Sequence, residues 1–128
     1  MNYSKIVNAM PALVELKKMR LPYDIARDVY KMYKALEAEY QFFAQEEGKL
    51  VREYAEKDEN GNPKISANGT ITFPNIKTKI EYSERLAELG ATDSKAEVPL
   101  IYISGPDMGG QLITPETIGA LEGFVIFE

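Results

Sequence analysis

The sequence predicts an α+β fold: a short helix and a long helix forming a helical hairpin, followed by a small, mostly antiparallel sheet with two further helices. Three observations carry this expectation. Residues 20–43, RLPYDIARDVYKMYKALEAEYQFF, open on a proline and place an apolar residue every three or four positions, the mark of an amphipathic helix. Asn68-Gly69 separates two β-prone runs, Lys64 to Ala67 and Thr70 to Phe73. Near the C-terminus, the apolar runs PLIYIS and FVIFE flank a Gly-rich loop and a Thr-Pro-Glu helix start.

Taken in order, NYSKIV leans towards extended structure. Asn8 then has the chemistry of an N-cap, with Pro11 tolerated in the first turn of a helix running to Met19. Arg20-Leu21 turns the chain. Pro22 suits a helix start, since its missing N–H falls where no intrahelical partner exists and its φ is already helical. From Tyr23 no proline recurs until Pro63, and the interior Gly48 costs about 1 kcal/mol without ending a helix, so one helix is expected to about Lys57. At 100° steps, Ile25, Val29, Met32, Leu36, Tyr40, Phe43, Leu50 and Tyr54 share one arc, and Phe42 falls opposite.

DENGNP then reads as a turn. Asn68-Gly69 predicts a tight hairpin whose type I′ turn needs positive φ at both residues. Pro74 closes that strand, and Asn75 to Leu89, with Ile76, Ile80, Leu86 and Leu89 on one side, reads as a third helix stopped by Gly90. EVPLIYIS is a buried-type strand. Thr114 as cap, Pro115 at the first helical position and Glu116 near the N-terminus start a short helix before a last strand, FVIFE. No internal repeat or linker stands out, so residues 1–128 are expected to form one domain, residues 8–57 its helical hairpin and 63–128 a small β-rich part with two helices.

Composition narrows the chemistry. The 128 residues contain no cysteine and no histidine, which removes disulfides, thiolate metal sites, cysteine nucleophiles, the general base of Ser-His-Asp chemistry and the commonest zinc ligand. Fifteen basic residues against twenty acidic ones give a net charge of −5. With the basic residues distributed along the chain, nucleic acid is not an expected partner, because phosphate recognition needs a concentrated positive surface. The N-terminal residues lack the charged and apolar regions of a secretion signal, and no apolar stretch reaches the length of a membrane span. The expectation is a soluble intracellular protein with no membrane partner.

Several motifs test chemistry and fall short. Gly105 to Gly110 has the glycine spacing of a phosphate loop, but Gln111 and Leu112 stand where lysine and Ser/Thr are required. Asp58, Asn60 and Asn62 have calcium-loop spacing, but Pro63 occupies the turn glycine's place and Gly69 that of the bidentate glutamate. Asn68-Gly69-Thr70 matches a glycosylation sequon and is more simply a turn. Glu47, beside Glu46 and inside the apolar arc, has no second catalytic group identifiable with it. Opposite charges three or four residues apart on the long helix, such as Asp24 with Arg27 and Glu53 with Lys57, describe an ordinary solvated face. No cofactor, metal site or catalytic residue is expected, and the chain reads as a non-enzyme.

The long helix carries the functional expectation. A rod from Tyr23 to Lys57 measures roughly 50 Å at 1.5 Å per residue, longer than a small domain is wide. Leaving four of its apolar side chains wet forfeits on the order of 6 to 12 kcal/mol, comparable with a whole domain's stability. Either the helix breaks near Gly48 and folds back, or a second chain covers it. The favoured reading is a second chain, packed against Tyr40, Phe42, Phe43, Glu47, Leu50 and Tyr54.

The run LPYDIARDVYKMYKALEAEYQFFAQEEGKLVREYAEKDENGNP, with the later RLAELGATDSKAEVPLIYIS and the closing ITPETIGALEGFVIFE, resembles a family of small tailed-phage and prophage proteins of unknown function. The likeness covers most of the chain and rests on helix and turn patterns, with no catalytic signature to transfer. It implies a phage or prophage origin; the expected location is the host cytoplasm or the virion, and the expected partner is a second copy of the chain or a phage or host protein. Two other readings compete with an accessory or assembly role exerted through self-association or docking. One is a counter-defence protein that inhibits a host defence enzyme, although its acidic residues alternate with basic ones where nucleic-acid mimicry wants a sustained run. The other is an enzyme or small-molecule binder using the loop from Gly105 to Gln111.

Overall fold

The computed structural model describes residues 1–128 as an α+β protein with four α-helices and a two-stranded sheet. The chain divides into two compact units. The first comprises Met1–Tyr40 and Asp93–Glu128, the second Gln41–Thr92.

In the first unit, helix α1 spans Tyr3–Lys18. Its cap is Asn2, whose side chain accepts a hydrogen bond from the Lys5 N–H at 2.9 Å, so the expected cap at Asn8 and the extended start are both corrected. The stronger signal was the spacing of Tyr3, Ile6, Ala9, Leu13 and Leu16, which buries one face from the first turn onward. Pro11 therefore lies inside the helix on its exposed side. Helix α2 spans Tyr23–Tyr54 and is unbroken through Gly48, 32 residues or about 48 Å of rod. Pro22 begins it as expected, its carbonyl accepting from the Ala26 N–H at 2.9 Å.

Val29, Met32 and Leu36 of α2 join Ile6, Leu13 and Leu16 of α1 in one dry core. The C-terminal segment completes it with strand β1 (Ile101–Ile103), helix α4 (Pro115–Ala120) and strand β2 (Val125–Phe127); Ile103 of β1 is fully buried, as are Leu121 and Phe124 in the turn between α4 and β2. The expected helical hairpin is not what forms. Helix α1 comes backbone-close to α4 and shares core side chains with α2.

The sheet is also corrected: β1 and β2 pair in parallel, Ile101 with Val125, Tyr102 with Ile126 and Ile103 with Phe127. Helix α4 lies between the two strands in sequence, and a helical crossover returns the chain to the same end of the sheet. Thr114 caps α4 as expected, and Thr117 ties it to α1 by donating to the Glu15 carboxylate at 3.0 Å.

The second unit holds the rest of α2, a tight meander and helix α3 (Ile76–Ala91), capped by Asn75 at 2.9 Å from the Thr78 N–H. Helix α2 ends at Tyr54: the Glu56 N–H bonds the Thr72 carbonyl instead of continuing the helix, and the Lys57 ammonium turns back onto the carbonyls of Arg52 and Ala55. The expected hairpin strands are reduced to isolated antiparallel bridges, Lys57 with Pro63 and Ile65 with Ile71. No non-glycine residue has positive φ, so the turn at Asn68-Gly69 is not type I′. Gly69 alone takes φ +83°, with its N–H on the Ser66 carbonyl at 2.9 Å and Ser66 N–H on Thr70, which is a three-residue loop closed by a glycine bulge.

Eight residues earlier the same device recurs. Gly61 takes φ +80° with its N–H on the Asp58 carbonyl at 3.0 Å, and Asp58 N–H reaches Asn62 at 2.8 Å. EKDENGNP and KISANGTI are thus a structural repeat. It closes on itself: Lys64 N–H bonds the Glu56 carbonyl at 2.7 Å, Glu56 N–H bonds Thr72 at 2.8 Å, and Thr72 N–H bonds Lys64 at 3.0 Å. Three strand-like segments joined in a ring satisfy each other's backbone groups without extending into a sheet. Helix α3 is turned relative to expectation, with Tyr82, Leu86 and Leu89 inward and Ile76 and Ile80 exposed by 76% and 51%.

Candidate protein-interaction surface

The six residues expected to meet a partner are dispersed by the helix. Tyr40 ends the first unit's share of α2 at the margin of exposure. In the second unit Phe42 and Phe43 lie about 100° apart, and the structure sends Phe43 inward, 9% exposed, and Phe42 outward, 47% exposed. Glu47, Leu50 and Tyr54 are half-buried.

What covers the last three is the unit's own chain. Tyr54 meets Tyr82 edge-on at 6.5 Å between ring centres, and Tyr82 in turn lies 5.1 Å from Phe73. Burial raises the Tyr82 hydroxyl above the ordinary tyrosine pKa, and the charge of Glu47 adds to the effect. Leu50 and Leu89 line a groove between α2 and α3, with Glu46, Glu53 and Glu88 alternating with Lys49 and Arg85 around them. Lys49 is already paired with Glu46 at 2.9 Å.

The Gly105–Gln111 loop is structural in its contacts. Asp107 accepts from both the N–H and the hydroxyl of Ser104, at 2.9 and 2.8 Å, and these bonds hold its carboxyl below the usual range. Gln111 acts as a clamp: its Oε1 accepts from Arg20 N–H at 2.9 Å, while its Nε2 donates to the carbonyls of Arg20 at 2.6 Å and Met108 at 2.9 Å. That side chain joins the loop to the α1–α2 turn and is not aimed at a ligand. No three acidic side chains are grouped to hold a metal ion, and no helix is long and apolar enough to cross a membrane.

A further surface becomes visible when charge is counted by segment. Residues 17–34 hold six basic and two acidic residues, leaving nine basic and eighteen acidic for the rest of the chain. The basic residues are therefore not evenly distributed, as whole-chain totals suggested. All six are exposed, and the Lys17 ammonium sits 4.0 Å over the Tyr33 ring, which brings the end of α1 against the third turn of α2.

No protein-family model, curated protein or solved structure matches this chain.

Proposed function

We propose that this is a non-enzymatic phage accessory or assembly protein that acts through protein–protein contacts of α2. The observation that carries the reading is the continuity of α2, a single helix of 32 residues on which Tyr40 and Phe42 are exposed. A rod of that kind offers aromatic anchors on a rigid support, which lowers the entropy lost on association. The phage assignment draws on the resemblance of residues 21–63 and of the C-terminal segment, and a self-associated form or a phage or host protein supplies the contact.

Sedimentation over a wide concentration range, combined with crosslinking in infected cells, tests it. Association with itself or with a defined phage or host protein is expected, weakened by Phe42→Asp with the helix content unchanged. A strict monomer that crosslinks to nothing would remove this reading.

A further inference from the structure

The two most exposed large apolar side chains of the first unit, Leu112 at 92% and Tyr23 at 78%, both lie close to Arg20. Leu112 follows Gln111, whose side chain is bonded to both backbone groups of Arg20, and Tyr23 opens the helix three residues after Arg20. On α2, Tyr23, Arg27, Tyr30, Lys31 and Lys34 fall within about 100° of arc, and the nearby acidic residues Asp24, Asp28 and Glu37 fall outside it. Arg27 touches Asp24 and Asp28 at 3.8 and 3.7 Å, whereas Lys18, Arg20, Lys31 and Lys34 make no ion pair. The result is a positive surface with aromatic and aliphatic anchors on a chain that is otherwise strongly negative.

We propose that this joint is a docking surface for an acidic amphipathic segment of another protein. The inference rests on the reading of α2 as a docking helix but uses a different stretch of it, Tyr23 to Lys34, from that of Phe42 and Leu50. Charge selects an anionic partner, since four cations are left uncompensated. The anchors select a protein: Tyr and Arg are the side chains that concentrate binding energy at protein interfaces, and Leu112 offers an apolar contact that a phosphate backbone does not use. Extent points the same way. Tyr23 to Lys34 covers only about 16 Å of helix, and a nucleic acid strand running past it meets a remainder with twice as many acidic as basic residues. A short acidic segment ends before that repulsion begins.

The test uses the full-length isotope-labelled protein and three probes of equal charge: a synthetic amphipathic helix with glutamates on one face and leucines on the other, a polyglutamate peptide, and oligo(dT). The amphipathic peptide is expected to bind most tightly, with resonance shifts centred on Tyr23, Tyr30, Lys34 and Leu112 and affinity falling as salt rises. Lys31→Glu with Lys34→Glu should weaken it about tenfold or more, and Leu112→Ser should weaken the amphipathic peptide while leaving polyglutamate unchanged. All three substitutions are at exposed positions, and the unbound spectrum verifies the fold.

Tighter binding of oligo(dT) than of either peptide would make this a nucleic-acid surface and overturn the proposal. Shifts confined to residues outside 17–34 and 112 would also overturn it. So would self-association abolished by Lys31→Glu and Lys34→Glu, which would make the occupant a second copy. A failure here with Phe42→Asp still disrupting association would leave the general reading of α2 standing, and the reverse pattern would separate them equally well.

Discussion

The two units of this chain are held together by different physics. Met1–Tyr40 with Asp93–Glu128 encloses a dry core to which α1, the first half of α2 and the β1–α4–β2 unit all contribute, including Ile6, Leu13, Leu16, Leu36, Leu121 and Phe124 at 0% exposure. In Gln41–Thr92 the only buried apolar side chains are Phe43 and Ala55. There the structure depends on half-buried rings, on the ring of three backbone hydrogen bonds and on the helix it inherits. A unit this small buries too little apolar surface to be strongly stable by itself. Helix α2 thus serves two purposes: its first part completes a core, and its second part scaffolds a thin, locally bonded structure.

Emptying the first core should have the largest effect on stability. Phe124→Ala removes a fully buried ring at the centre of that unit and should cost about 3–5 kcal/mol in denaturant unfolding. If the first unit carries most of the stability, amide exchange should then accelerate in α1, β1 and β2. An effect below about 1 kcal/mol would show that the core is not the main source of stability.

How much of this was readable beforehand follows the same division. Pro22 announced the start of α2, and Thr114-Pro115 that of α4, because capping and proline geometry are local. Both C-terminal strands were visible as apolar runs. Their parallel pairing was implied by the helix between them, but the Asn-Gly signal elsewhere drew the expectation towards an antiparallel sheet. Asn8 competed with Asn2 for the cap of α1, and only the burial of Tyr3 and Ile6 decides between them. The eight-residue repeat is hidden because Asp58 and Ser66 are different residues doing one job, a side-chain oxygen accepting from backbone N–H groups of the turn. No proline, glycine or change in composition at Tyr40-Gln41 marks where one unit gives way to the other, since helix α2 continues through that point. Of the residues expected to meet a partner, the arc separated Phe43, which is buried, from Phe42, which is exposed, but it could not show that Tyr82 would meet Tyr54. The basic cluster at 17–34 was concealed by summing charge over the whole chain.

A milder perturbation addresses the second unit. Tyr82→Leu removes both ring contacts, with Tyr54 and with Phe73, at about 0.5–1.5 kcal/mol each. Faster amide exchange should be confined to residues 41–92, with the first unit's slowest amides unchanged. Exchange that accelerates equally everywhere would show that the two units open together. Alkaline pH should act on the same ring without mutation. The folded Tyr82 pKa is raised above its unfolded value of about 10, first by burial and then by Glu47, so the neutral hydroxyl is the form the fold favours. Its stabilisation is complete below the unfolded pKa and is lost as pH rises through the folded one. Tyrosinate absorbance followed against pH should show a late-titrating component in the native protein, to which Tyr3 and Tyr33 also contribute; Tyr82→Leu should reduce it, and Glu47→Gln should shift the Tyr82 share downward. A native titration already identical to that of the unfolded chain would contradict the packing described for this ring.

The smallest expected change concerns the middle of the rod. At Gly48 an added methyl would meet only the Arg52 guanidinium, 3.9 Å away, and the residue has ordinary helical geometry. Gly48→Ala should therefore stabilise the protein by about 0.5–1 kcal/mol, because alanine has less backbone freedom to lose in the unfolded chain and nothing in the fold opposes it. The gain should appear as slower exchange on both sides of position 48, since a continuous helix transmits it in both directions. Destabilisation would mean that the glycine serves a bend in solution, and the rod that supports both units and the proposed docking surfaces would no longer be a single piece.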